Sequence, residues 1–136
     1  MKAVVQRVRN AQVNVDGNEV SRIGAGILIL LGVKRGDREV YAQNLAQRSA
    51  HLRIFEDENG KMNRSLLDIK GDAMVVSQFT LYGDTSRGRR PSFTDAEEPD
   101  RAKFLYEYFI NQLKVLNIKT VSGVFGKRML VTLEND

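Results

Sequence analysis

The chain has 136 residues, 21 Lys and Arg against 17 Asp and Glu, a net charge of +4 and no cysteine. That composition excludes a disulfide framework, a thiol nucleophile and a Cys/His zinc site, and the single histidine, His51, excludes a multi-histidine metal centre. With 42% hydrophobic and 28% charged residues it reads as one globular domain over 1–136, and no apolar run approaches the roughly 20 residues a membrane helix needs.

The opening residues Met1 to Arg7 lack the apolar core of a secretion signal, so a cytoplasmic location is expected, with no membrane partner. Valine-rich Lys2 to Val15 predicts a first strand, and Asp16-Gly17 is a hairpin signal before a second strand from Glu19 to Ile23. After Gly24-Ala25-Gly26, the run Ile27-Leu28-Ile29-Leu30-Leu31 predicts a buried central strand. Asp37 is placed to cap a helix running to about Leu52, with Val40, Tyr41, Asn44, Leu45 and Arg48 along its face. Arg53-Ile54-Phe55 reads as a strand, Asp57 to Gly60 as the turn after it, and Leu66, Leu67 and Ile69 as a small apolar set. Gly71-Asp72 leads into a strand from Ala73 to Gln78. Tyr82 to Glu98 is a long polar stretch of the kind that often carries function. Pro99 suits the first turn of a second helix, marked by Ala102, Leu105, Tyr106, Phe109, Leu113 and Leu116. Two closing strands, Lys119–Ser122 and Met129–Glu134, flank Gly123-Val124-Phe125-Gly126. The sum is an α+β domain: a curved antiparallel or mixed sheet, or a barrel, with two packed helices outside it.

With so few conventional catalysts, hydroxyls, amides and backbone groups must carry much of any chemistry. Ser77-Gln78-Phe79-Thr80-Leu81-Tyr82 concentrates them behind Met74-Val75-Val76. Strand alternation sets Ser77 and Phe79 on one face and Gln78 and Thr80 on the other. The segment is then either a solvated edge strand or a strand end presenting hydroxyls and N–H groups to a ligand. Arg87, Arg89 and Arg90 form the one local basic concentration, and the net charge permits a polyanionic partner without requiring one.

Ser77-Gln78-Phe79-Thr80-Leu81 resembles the signature of the D-aminoacyl-tRNA deacylases. Further matches follow in order: Val5-Gln6-Arg7-Val8, Leu52-Arg53-Ile54-Phe55-Glu56-Asp57, Gly88-Arg89-Arg90-Pro91-Ser92-Phe93, and Gly123-Val124-Phe125-Gly126 with Met129. The resemblance implies a homodimer of barrel-like α+β subunits with active sites at the interface. It implies hydrolysis of the ester linking a D-amino acid, or glycine, to the 3′-terminal adenosine of tRNA, with no cofactor and no metal. By the same resemblance Thr80 is nucleophile or positioning group, Ser77 and Gln78 hold the adenosine, and Phe79 shapes the pocket. Phe125, Gly126 and Met129 line the adenine site, or Phe125 and Met129 are ordinary core. Arg7 supports the active site and interface, or is a solvated strand residue. Arg87, Arg89 and Arg90 contact tRNA phosphates, or form a solvated loop. His51 is structural.

Two departures from the family pattern stand out. Lys127 occupies a position where the family commonly has alanine, and it either contacts phosphate or points outward. The sequence also stops at Glu134-Asn135-Asp136, where the family continues into a Gly-Pro turn that screens against L-amino acids; either the chain is truncated, which is the expectation, or the protein lacks that screen. An aminoacyl ester is labile enough to dispense with a strong base, which favours water as the attacking group, assisted by the ribose 2′-OH. The rival classes are a catalytically impaired RNA-binding homologue and an interaction protein that uses the dimer surface alone.

Overall fold

A computed structural model describes residues 1–136. Strand β1 (Lys2–Val15) turns through Asp16 and Gly17, whose φ values of 50° and 79° are the pair a two-residue hairpin with matching twist requires. The chain returns as β2 (Asn18–Ile23) and β3 (Gly26–Gly32), which together run antiparallel along one edge of β1 from Val15↔Asn18 to Lys2↔Gly32. Helix α1 (Glu39–His51), the short hairpin β4 (Phe55–Glu56) and β5 (Met62–Arg64), and the single-turn helix α2 (Leu66–Ile69) follow. They form the crossover that brings β6 (Asp72–Ser77) parallel to β3. After helix α3 (Pro99–Val115), β7 (Thr120–Ser122) lies parallel to β6, and β8 (Leu130–Asn135) pairs antiparallel with β1 over Val8 to Asn14.

The sheet curls far enough for the Ser21 hydroxyl of β2 to donate to the Ser122 carbonyl of β7 at 2.8 Å. The curved mixed sheet of an α+β domain, expected from the sequence, is therefore what the chain forms. Both faces of its central strands are buried. Ile27, Ile29, Leu31, Ala73 and Val75 pack under the helices, while Leu28, Met74 and Val76 join Val8, Ala11, Val13 and Ile23 on the other face. That is why β3 and β6 appear in the sequence as unbroken apolar runs. Gly26 is required where the two strands meet, because a Cβ there would lie 1.9 Å from the Asp72 carbonyl oxygen.

Helix α3 buries Leu105, Tyr106, Phe109, Ile110 and Leu113, with Pro99 in its first turn as expected. Helix α1 departs from expectation twice. Arg38, not Asp37, is its N-cap residue; the Asp37 carboxylate accepts the Lys34 N–H at 2.7 Å and pairs with the α-ammonium of Met1 at 2.8 Å. A nearby charge and a donor in the preceding loop outcompete the helix N–H groups. The buried face is Ala42, Ala46, Ser49 and Ala50, leaving Val40, Tyr41, Asn44 and Arg48 exposed and Leu45 half-buried. Small residues let α1 lie close to the sheet and α3, while the bulk comes from the other side. The strand expected at Arg53-Ile54-Phe55 shrinks to Phe55–Glu56, since only those residues find a partner in β5.

Candidate active site

Strand β6 lies between β3 and β7 over Ala73 to Val75, and from Val76 onward β3 alone runs beside it. The last sheet bond runs from the Gln78 N–H to the Leu31 carbonyl at 2.8 Å. The chain then tightens into a single 3₁₀ turn over Phe79–Tyr82, so strand alternation does not extend past Ser77. No side chain caps this turn, and the N–H groups of Phe79 and Thr80 have no acceptor within the protein. These are the orphan donors that every helical start creates. The Gln78 amide donates to the Thr80 hydroxyl, and the Phe79 ring, 56% exposed, meets Phe93 edge-on at 5.1 Å.

Ser77, Gln78 and Phe79 line a cavity of about 670 Å³, together with Leu31 and Val76 of the sheet. Phe125, Gly126, Lys127 and Met129 line it as well. Their segment is held by the Met129 sulfur, which accepts the Val124 N–H at 3.3 Å. A Cβ on Gly123 would lie 2.4 Å from that sulfur, so glycine makes the arrangement possible. Phe125 is half-buried, its ring 5.7 Å from that of Tyr106. The Tyr106 hydroxyl donates to the Val75 carbonyl at 2.9 Å, and burial pushes its pKa up to about 12. Core packing and cavity lining are thus combined in one aromatic side chain.

A further part of the lining, Phe93, Ala96, Glu97, Glu98 and Arg35, was not assigned from the sequence. Arg35 ties the long polar segment down, donating to the Thr94 carbonyl at 2.8 Å and pairing with Glu98 at 2.8 Å. Glu97 accepts the Gly36 N–H at 3.0 Å; the Glu98 backbone N–H, first, and that of Gly36 hold its carboxyl below the usual range. Only the length of the stretch, and Phe93 within a motif, pointed to it.

The remaining sequence candidates lie elsewhere. Thr80 is exposed and is not part of the cavity lining. Arg7 donates to the Ile54 carbonyl at 2.7 Å and to the Asp136 carbonyl at 2.9 Å, joining the start of β1 to the loop before β4 and to the last residue. Arg87, Arg89 and Arg90 are exposed on the loop and do not line the cavity. The His51 Nδ1 bonds the Gln47 carbonyl at 2.8 Å, at the end of α1.

A curled mixed sheet whose parallel strand ends in an uncapped turn, beside a largely apolar cavity, defines a small α+β domain with an open cavity at a strand end. Residues 4–136 match the model of a family described as D-Tyr-tRNA(Tyr) deacylase, and the chain belongs to that family. It is 56% identical to a D-aminoacyl-tRNA deacylase of Thermosipho melanesiensis, over 100% of this chain and 91% of the relative. It is 58% identical to one of Roseiflexus castenholzii, over 100% and 87%. Among solved structures, the c-Myc DNA unwinding element binding protein superposes with a TM-score of 0.93 at 38% identity, covering 100% of this chain and 93% of that one. A probable eukaryotic D-amino acid tRNA deacylase, at 20% identity and a TM-score of 0.82, shares the fold.

Proposed function

We propose that this chain is a D-aminoacyl-tRNA deacylase, a hydrolase that cleaves the ester between a D-amino acid, or glycine, and the 3′-terminal adenosine of tRNA. The observation that carries the reading is the family match over residues 4–136, with Ser77, Gln78 and Phe79 of its signature lining the main cavity. Adenosine lies against Phe125, Gly126 and Met129, with Ser77 and Gln78 on its ribose, and Lys127 meets a phosphate farther along the tRNA. Water adds to the ester carbonyl, the bond from that carbon to the ribose 3′ oxygen breaks, and the proton passes to the departing oxygen with help from the 2′-OH. The unpaired N–H groups of Phe79 and Thr80 are suited to the developing oxyanion, where one donor is worth about 10²–10³ in rate. Thr80 positions Gln78 through the bond between their side chains. The enzyme acts in the cytoplasm as a homodimer, with Arg7 bracing the shared site and Arg87, Arg89 and Arg90 meeting tRNA phosphates.

The test is deacylation of D-tyrosyl-tRNA and glycyl-tRNA. Turnover with either supports the enzyme; tRNA binding without turnover would make the chain an impaired homologue, and neither binding nor turnover would remove tRNA from its function. Size measurement in solution checks the dimer. The mechanism fails if a covalent acyl group can be trapped on Thr80.

A further inference from the structure

A second cleft of about 450 Å³ shares Phe125 with the first cavity and is not used by the reading above. Phe125 lines both cavities. The new cleft is polar where the first is largely apolar. Lys103, Glu107, Asn111 and Lys114 come from α3 at spacings that place them on one helix face, and Ser122 comes from the end of β7. The two lysines are exposed, and the nearest pairing of Lys103, to Glu107, is a loose 3.9 Å. The cleft therefore offers two ammonium groups for an anion, amide and hydroxyl groups for a base edge, and an aromatic neighbour.

We infer that this cleft binds the penultimate cytidine of the tRNA 3′ end and the phosphate joining it to the terminal adenosine. The inference rests on the placement of adenosine against Phe125. A strand whose last base lies against that ring continues beside it, and the adjoining cleft is polar and carries two lysines against one glutamate. Single-stranded ends are held by such combinations of aromatic contact, amide groups and backbone cations. The carboxylate of Glu107 is the one like charge the phosphate meets, and Lys103 beside it offsets the repulsion. Lys103 and Lys114 then set how strongly the enzyme holds the strand and leave bond cleavage alone.

The experiment compares the D-tyrosyl 3′ esters of adenosine and of cytidylyl-adenosine as substrates of the wild type and of K103Q/K114Q. In the wild type the dinucleotide ester shows a several-fold lower KM, with a salt dependence from its extra phosphate of about 0.7 in log KM per log salt. In K103Q/K114Q that advantage and its salt dependence disappear, while kcat on both esters and all kinetics on the adenosine ester stay at wild-type values. A dinucleotide advantage that survives in K103Q/K114Q overturns the inference alone, as does a wild type that treats both esters alike. Phe125→Leu, verified as folded by circular dichroism, separates the underlying reading. If it leaves KM for the adenosine ester unchanged, adenosine does not lie on Phe125 and the inference falls with that placement.

Discussion

Strand β6 and the turn that continues it are consecutive in the chain and opposite in character. From Ala73 to Val76 every residue is buried, and the strand pairs with neighbours on both sides. From Phe79 to Thr80 the side chains are exposed and the N–H groups unpaired. The first stretch supplies rigidity, and the second spends it on presentation: donors whose place is set by the sheet but whose partners are left for a ligand. Substitutions in the strand should therefore cost stability, and substitutions in the turn should cost turnover.

The largest effect is expected from Gly26→Ala, which drives a methyl group into the Asp72 carbonyl and forces β3 and β6 apart. Overpacking typically costs about 1–3 kcal/mol, and a clash with backbone falls at the upper end of that range, so urea unfolding should show a lower midpoint or no folded protein at all. Near-wild-type stability would mean that the strand pair is not rigid. Next comes Tyr106→Phe, which keeps the ring beside Phe125 but removes the bond to Val75; a loss of about 1 kcal/mol is expected, with adenosine affinity nearly intact.

The same tyrosine has a pH signature. Burial raises its pKa above the unfolded value of 10 to about 12, as it does for Tyr82. The unfolded state then loses its proton first, so stability is fully present below pH 10 and is lost as pH rises toward about 12. Chemical denaturation across that window should show a shallower decline in Tyr106→Phe than in the wild type. The smallest change in stability belongs to Thr80→Val, within about 0.5 kcal/mol because the side chain is exposed. Its kcat should fall by no more than the roughly 10²-fold at the low end of acid–base effects. Collapse to the uncatalysed rate would instead assign the attack to the hydroxyl and erase the distinction between positioning and chemistry.

Much of this contrast was legible in the residues. The unbroken run Met74-Val75-Val76 marked the buried strand, and the polar cluster behind it marked the change. What pattern alone missed was the geometry of that change, because period-2 alternation has no way to announce a 3₁₀ turn. Helix α1 was legible in extent and misread in orientation: hydrophobicity favoured Val40 and Tyr41, but packing distance favoured Ala42, Ala46 and Ala50. Asp37 carried the right chemistry for a cap and was captured by Met1, a partner from the far end of a strand. The contribution of Arg35, Glu97 and Glu98 to the cavity depends on two loops meeting, which no local spacing encodes. The Gly123 to Met129 segment was found through motif resemblance, while the sulfur contact that explains its glycine emerged only in three dimensions.

The pairing of β8 with β1 also sets an order of events in folding. The hairpin of β1 with β2 and β3 can form as soon as residue 32 exists, from local contacts alone, whereas the other edge of β1 from Val8 to Asn14 must wait for residues 130 to 135. Contacts between opposite ends of a chain form late and slowly, and an unpaired strand edge is open to the wrong partner in the meantime. The segment bearing Phe125 and Met129 leads directly into β8 and is anchored when that strand docks. The cavity is thus the last part of the molecule to be completed, and a partly synthesised chain has a scaffold before it has a place for a ligand.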